Sequence, residues 1–169
     1  MKRLLIIVDY QNNFVDGPLG FAQARQIEPA LCEKLNWYHE GGYDVIFTMD
    51  TFFENATAGH PSADADENWA WQLYGNIEKL RQPSDRILSK HTFGSADLFE
   101  LLRREQYDAV ELAGVVSHVC VLVNAVLCQA ALPEAAIQID ARCVAGSDAV
   151  CHEEALHIME NLKMVVLNR

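Results

Sequence analysis

The sequence predicts an α/β fold with three layers, αβα, in which a central parallel sheet of about six strands is flanked by helices. Two observations carry this prediction: the apolar runs that would form strands show no polar alternation, and helical patterns lie between them. Continuous apolar character is typical of parallel strands that are covered on both faces. The predicted strands are residues 4–9, 44–50, 86–90, 109–115, 136–140 and 164–168.

Helices are predicted where apolar residues recur at helical spacing, over residues 26–40, 96–105, 118–131 and 151–162. Alternation of strand and helix favours a doubly wound sheet, and we expect one domain over residues 1–169. The stretch 51–83 shows no regular pattern, and a connection of that length is usually functional.

The composition excludes several classes of partner. The chain has 13 Lys and Arg against 24 Asp and Glu, a formal net charge of -11 and a pI near 4.8. Such an acidic chain is unsuited to nucleic acid, and no basic or long apolar segment indicates a membrane. The five cysteines are odd in number and lack CxxC spacing, which favours reduced thiols and a cytoplasmic location.

Three chemically reactive residues follow predicted strands. Asp9 ends the first strand, Lys90 ends the third, and Cys120 comes shortly after the fourth, at the start of a predicted helix. In open α/β sheets, ligands bind at the carboxyl ends of the strands, so these side chains could meet at one edge. Each alone has an ordinary structural explanation: a capping carboxylate, a surface lysine or a small buried thiol.

Together, the three residues suit acyl transfer. The positive end of a helix dipole and a nearby ammonium would both favour the Cys120 thiolate. The Asp9 carboxylate could accept the thiol proton and return it to a leaving group. Backbone N–H groups at the helix start could stabilise an oxyanion.

Three segments resemble the isochorismatase-like cysteine hydrolases, the family that includes nicotinamidases: VDYQNNFVDG, SKHTFGSADL and GVVSHVCVLVNAVLCQAALPEA. The resemblance runs through almost the whole chain and implies an Asp–Lys–Cys triad at Asp9, Lys90 and Cys120. It further implies a cis peptide bond between Val115 and Val116, with an oxyanion hole made by the N–H groups of Val116 and Cys120.

Two positions beside the cysteine depart from the family pattern. Ser117 and His118 stand where relatives often have Thr and Asp. The Ser117 hydroxyl is expected to cap the helix that follows. For His118, a solvated histidine at a helix start is the simpler interpretation.

The resemblance also implies a metal site, and there the sequence departs from it. Nicotinamidases of the family bind the metal through an Asp-x-His pair, and the metal holds the pyridine nitrogen. Asp50 matches the Asp, but Phe52 replaces the first His. His60 with Asp64 or Asp66 could substitute, although an acidic loop with an incidental histidine is the favoured interpretation of these residues. We therefore expect no metal and no cofactor.

Aromatic residues are predicted to line the substrate pocket instead of a metal, although a small apolar core under the loops would explain them as well. The predicted pocket residues are Phe14, Phe52, Trp69 and Phe93.

The resemblance implies a cysteine hydrolase that cleaves a small-molecule amide and forms a homo-oligomer, a dimer or larger. The alternatives are an isochorismatase-type hydrolase of vinyl ethers, which needs no cysteine nucleophile, and a non-catalytic small-molecule binder.

Overall fold

The computed structural model describes residues 1–51 and 69–169. Its sheet has six strands in the order β3-β2-β1-β4-β5-β6, and every neighbouring pair is parallel. The strands are β1 (Arg3–Val8), β2 (Asp44–Asp50), β3 (Arg86–Lys90), β4 (Ala109–Val115), β5 (Ala136–Ala145) and β6 (Val165–Leu167). The predicted sheet is confirmed, except that β5 runs five residues further than the sequence indicated.

The central strand β1 contributes to both hydrophobic cores. Leu4, Ile6 and Val8 face one core, and Leu5 and Ile7 face the other. All five are fully buried. Because burying one such side chain is worth about 1.5–3 kcal/mol, the continuous apolar run in the sequence follows directly from the strand's two covered faces.

Helices cover both faces of the sheet. They are α1 (Asn12–Val15), α2 (Ala22–Gln26), α3 (Glu28–Glu40), α4 (Gly75–Leu80), α5 (Ala96–Glu105), α6 (Leu122–Ala131) and α7 (Ala149–Asn161). Helices α1 to α4 pack on one core, and α5 to α7 pack on the other, which confirms the three-layer arrangement.

Two predicted helices differ from the observed ones. The helix expected over 26–40 is observed as α3, which starts two residues later at Glu28, and the short helix α2 that precedes it was not predicted. Pro29 lies in the first turn of α3, where its missing N–H costs nothing, so α3 starts there. The helix expected over 118–131 begins with a π-helical turn, Ser117–Val121, before α6.

The strand order places a crevice beside β1. From β1 the chain proceeds to β2 on one side, whereas β4 lies on the other side. Ligands of doubly wound sheets bind at such a switch point, outside the carboxyl ends of the strands. In the described part of the chain, no helix is sufficiently long and apolar to cross a membrane.

Gly114 allows β4 to approach β1 closely at that crevice. It pairs with Val8 and has a φ of +104°, and a Cβ there would lie within 3.0 Å of the backbone N, C and O atoms of Val8. Backbone atoms of a central strand cannot move aside, so only glycine fits.

We expect Gly114→Ala to destabilise the fold by about 3 kcal/mol, because the added methyl combines strain at positive φ with a backbone clash. Gly42→Ala is the matched control: its φ is +65°, but a Cβ there has open space. We expect the control to cost about 1 kcal/mol. Urea unfolding measures both, and equal losses would contradict the close approach.

Candidate active site

The structure brings Asp9, Lys90 and Cys120 together at the carboxyl edge of the sheet. The Lys90 Nζ lies 2.6 Å from Asp9 Oδ2 and 3.6 Å from Cys120 Sγ. All three side chains are buried. Three strands that are far apart in sequence thus supply an acid, a cation and a thiol to one small volume.

Asp9 is held in place by β2. It follows β1 with a φ of +50°, and its backbone N–H donates to the Thr48 carbonyl at 3.1 Å. The Thr48 hydroxyl donates to Asp9 Oδ1 at 2.7 Å. Sequence reasoning missed Thr48, although a hydroxyl within the apolar run DVIFTMD and next to the first strand was a usable signal.

Lys90 is a buried cation surrounded by acceptors. Besides Asp9 and Cys120, its Nζ donates to the Thr92 carbonyl at 3.2 Å and lies 3.7 Å from Asp50 Oδ2. Burial alone would lower the pKa of Lys90, but its interactions with Asp9, Cys120 and Asp50, of which the charge of Asp9 is the largest, raise it above its ordinary value. The side chain therefore stays an ammonium.

The Cys120 thiol is protonated in the resting site. Burial raises its pKa first, and the negative charge of Asp9 raises it further, while Lys90 lowers it. Lys90 therefore favours the thiolate, as predicted, but burial outweighs it. Cys120 lies near the end of the π-helical turn and is only 5% exposed, so desolvation is the largest influence on its pKa.

Asp9 must accept the proton that the Cys120 thiol loses. Burial raises its pKa above the ordinary value, although Lys90, Thr48 and a hydrogen bond with Cys120 each lower it. A carboxylate that accepts a bond from the thiol is placed to take its proton, and a raised pKa makes the carboxyl group able to hold that proton.

The Gln11 side chain forms hydrogen bonds both with the end of β2 and with the backbone of Trp71. Its Oε1 accepts from the Asp50 N–H at 2.8 Å, and its Nε2 donates to the Asp50 and Trp71 carbonyls at 3.3 and 3.0 Å. The Asn12 side chain likewise donates to the Trp69 carbonyl at 2.7 Å. Neither residue was singled out from the sequence, although both lie in the quoted segment VDYQNNFVDG.

The π-helical turn carries Cys120. The peptide bond between Val115 and Val116 is cis. The N–H of Val121 donates to the Val116 carbonyl at 3.2 Å, five residues back, which is the π pattern. Val116, not Ser117, is the residue that precedes the turn, and the Ser117 hydroxyl bonds with His152 Nδ1 at 2.9 Å. The expected Ser117 cap is therefore wrong.

The sequence model of the isochorismatase domain matches residues 3–169. The chain belongs to the isochorismatase family. A relative described as the uncharacterized isochorismatase family protein PncA of Bacillus subtilis is 31% identical over 142 residues, covering 75% of this chain and 78% of the relative.

Solved structures place the chain among nicotinamidase relatives of the family. The nicotinamidase SaPncA of Staphylococcus aureus superposes with a TM-score of 0.82 at 26% identity, covering 99% of this chain and 100% of that one. The nicotinamidase PncA of Bacillus subtilis gives a TM-score of 0.84 at 28% identity, with coverage of 99% and 100%. The family resemblance drawn from the three segments is confirmed.

The predicted pocket residues of this isochorismatase family member occupy different surroundings. Phe14 is buried in the core on the side of α1 to α4. Trp69 and Phe93 are 44% and 51% exposed. Phe52 lies outside the described residues, as do His60, Asp64 and Asp66. A pocket role for Trp69, Phe52 and Phe93 stays a prediction.

Three described side chains at this site could supply ligands to a metal ion. Ligand atoms of Asp9, Asp50 and Cys120 lie within 4.8 Å of one another. The Lys90 ammonium already lies within 3.7 Å of all three, so a metal ion among them would have to displace a buried cation. At the position of the family's first histidine, Phe52 has no lone pair to donate.

We expect Lys90→Gln to shift the alkylation of Cys120 to higher pH by about one unit or more, because the substitution removes the cation that lowers the pKa of the thiol. Iodoacetamide labelling across pH, read by peptide mass mapping, gives the profile. The half-buried Cys32 and Cys151 serve as internal references, and Lys79→Gln, on an exposed lysine, is the control. Superimposable Cys120 profiles would contradict the electrostatic role.

Proposed function

We propose that this protein is a cysteine hydrolase that cleaves a small-molecule amide through an acyl-thioester on Cys120. The observation that carries the proposal is the buried contact of one ammonium, Lys90, with a carboxylate and a thiol, Asp9 and Cys120. Membership of the isochorismatase family supports it. A carboxylate, a cation and a nucleophile in contact are what nucleophilic catalysis requires.

The first half of the reaction forms the thioester. Asp9 takes the proton from Cys120 as the sulfur attacks the amide carbonyl carbon. The oxyanion is stabilised by the backbone N–H groups of Val116 and Cys120. Asp9 then gives its proton to the amide nitrogen, the C–N bond breaks, and the amine or ammonia leaves.

The second half releases the acid. Asp9, again a carboxylate, takes a proton from water as its oxygen attacks the thioester carbon. The C–S bond breaks, the proton returns to the Cys120 sulfur, and the carboxylic acid departs. Lys90 keeps its charge throughout, so the negative charge on Asp9 or on the sulfur always has a counter-ion.

The proposal also specifies a class of substrate. The relatives of known structure at 26–28% identity are nicotinamidases, so amides of small heteroaromatic rings are the first compounds to test. Without a metal to bind the pyridine nitrogen, the ring would be held by shape and by aromatic side chains such as Trp69 and Phe93. Loss of the metal contact would favour substrates in which the ring nitrogen is dispensable.

An ammonia-release assay against nicotinamide, pyrazinamide, benzamide and aliphatic amides tests the activity. We expect turnover with a member of this panel and an acylated Cys120 by intact mass after rapid quenching. We expect Asp9→Asn to lower kcat by about 10²–10⁴, because the amide cannot move the proton. Asp97→Asn, an exposed acid on α5, is the control and should leave kcat unchanged.

The pH dependence gives a second check on Asp9. The carboxyl must be ionised to accept the thiol proton, and its pKa is raised above 3.8. Activity should therefore fall on the acidic side with a midpoint above that ordinary value.

Turnover of an amide that survives Asp9→Asn within a factor of a few, or a product formed without acylation of Cys120, would contradict the mechanism. Hydrolysis of vinyl ethers alone would favour the isochorismatase-type alternative.

We expect the activity to survive exhaustive chelation, and the purified protein to hold no stoichiometric zinc, iron or manganese. A catalytic zinc ordinarily needs three protein ligands in fixed geometry, and Asp50 is the one described residue at the family's metal position. Elemental analysis and the assay in chelator decide this. One equivalent of metal, or activity lost in chelator and restored by one of these ions, would contradict it.

A further inference from the structure

We infer that Asn124 is a positioning residue that fixes the Cys120 turn against the loop that follows Lys90. The inference rests on the proposed function, because it assigns Asn124 a role in holding the nucleophile and its cation. Asn124 lies on α6, one turn beyond Cys120, and is fully buried. Nothing in the family resemblance assigned it a role.

The Asn124 amide makes hydrogen bonds with three backbone groups from both segments. Its Nδ2 donates to the Cys120 carbonyl at 2.8 Å and to the Phe93 carbonyl at 3.0 Å. Its Oδ1 accepts from the Ser95 N–H at 3.0 Å. Both N–H donors and the oxygen of one side chain are thus used to join the nucleophile's own peptide unit to residues 93–95.

That loop also supplies a hydrogen-bond acceptor to Lys90. The Lys90 Nζ donates to the Thr92 carbonyl at 3.2 Å, next to the Phe93 carbonyl that Asn124 binds. A shift of the loop would therefore move an acceptor of the ammonium. Since Asn124 holds this loop and the Cys120 carbonyl together, it sets the 3.6 Å separation of Lys90 Nζ and Cys120 Sγ.

The packing around the loop leaves little slack. A Cβ on Gly94 would lie 2.7 Å from Leu127 Cδ1 and 2.8 Å from Val123 Cγ1, so the loop backbone rests directly on α6. Ser95 ends the loop by capping α5, where its Oγ accepts from the Leu98 N–H at 3.1 Å. The loop is fixed by α5 and α6, and Asn124 is the side chain that connects it to the Cys120 turn.

The chemistry of the amide limits which substitutions can replace it. Alanine would leave the buried Cys120 carbonyl, the Phe93 carbonyl and the Ser95 N–H without this partner. Serine can still donate to the carbonyl four residues back, here that of Cys120, and so retains one of the three bonds. Asn124→Ser should therefore rescue part of what Asn124→Ala loses.

The test measures the pH profile of Cys120 alkylation by iodoacetamide in the full-length protein, which needs no substrate. We expect Asn124→Ala to move the midpoint to higher pH by about half a unit or more, because the ammonium that favours the thiolate is displaced. Asn124→Ser should give an intermediate midpoint. The sign is informative, since a turn that merely loosened would admit water to Cys120 and move the midpoint to lower pH.

Two variants control for loss of stability. Ser95→Ala removes a buried cap beside the same loop but keeps the Ser95 N–H that Asn124 binds. Gln129→Ala removes an amide on the same helix whose Nε2 donates to the Leu162 carbonyl, away from the site. Both should keep the wild-type midpoint, with melting temperatures recorded for every variant.

An unchanged midpoint in Asn124→Ala, a shift to lower pH, or an equal shift in Ser95→Ala at equal melting temperature would overturn the inference. If Asn124→Ala does not fold, a midpoint of Asn124→Ser equal to wild type would overturn it as well. A wild-type Cys120 that never reacts would contradict the nucleophile in the proposed function, and the inference would fall with it. That failure is visible in the wild type alone, so the two are distinguishable.

Discussion

The buried ammonium of Lys90 is the group on which the site depends. Removing an ion from water costs several kcal/mol even after the protein relaxes, so a buried lysine needs charge and hydrogen-bond partners in good geometry. Asp9 at 2.6 Å, Asp50 at 3.7 Å and the Thr92 carbonyl at 3.2 Å supply them. Because these partners lie at or just after the ends of different strands, the ends of the strands must lie close together around the ammonium.

The fold meets this requirement through both its backbone and its side chains. Gly114 lets β4 lie close enough to β1 for the Cys120 turn to reach Asp9. Thr48 donates a hydrogen bond to the Asp9 carboxylate from the neighbouring strand, and Asn124 donates one to the Cys120 carbonyl from α6. Each of these contacts joins segments far apart in sequence, so the geometry of the site is a property of the completed sheet.

The sequence predicted the sheet and the meeting of Asp9, Lys90 and Cys120 at one edge, because both leave local signals: apolar runs without alternation, and reactive side chains at their ends. It did not predict Thr48 or Asn124, whose roles depend on a partner strand or loop that only the fold supplies. The effect of burial on Cys120 was missed for a related reason. A helix start can be inferred from one segment, whereas desolvation depends on everything packed around the sulfur, and here it is the largest cause of the raised pKa. The division of the predicted 118–131 helix into a π-helical turn and α6 likewise carries no local signal.

A second buried charged cluster shows why burial alone does not identify an active site. Lys34 lies 2.6 Å from Glu111 and 2.9 Å from Asp140, between α3 and the sheet. Burial raises the pKa of Asp140, but hydrogen bonds from Arg142 and Lys34 outweigh it and hold that pKa below its ordinary value, so the group stays ionised. At Asp9 burial prevails and the pKa is raised, next to a thiol that can lose its proton. Asp140 thus stays ionised, whereas the Asp9 carboxyl is able to hold a proton, and this difference in the balance of desolvation and pairing favours the Lys90 cluster as the candidate active site.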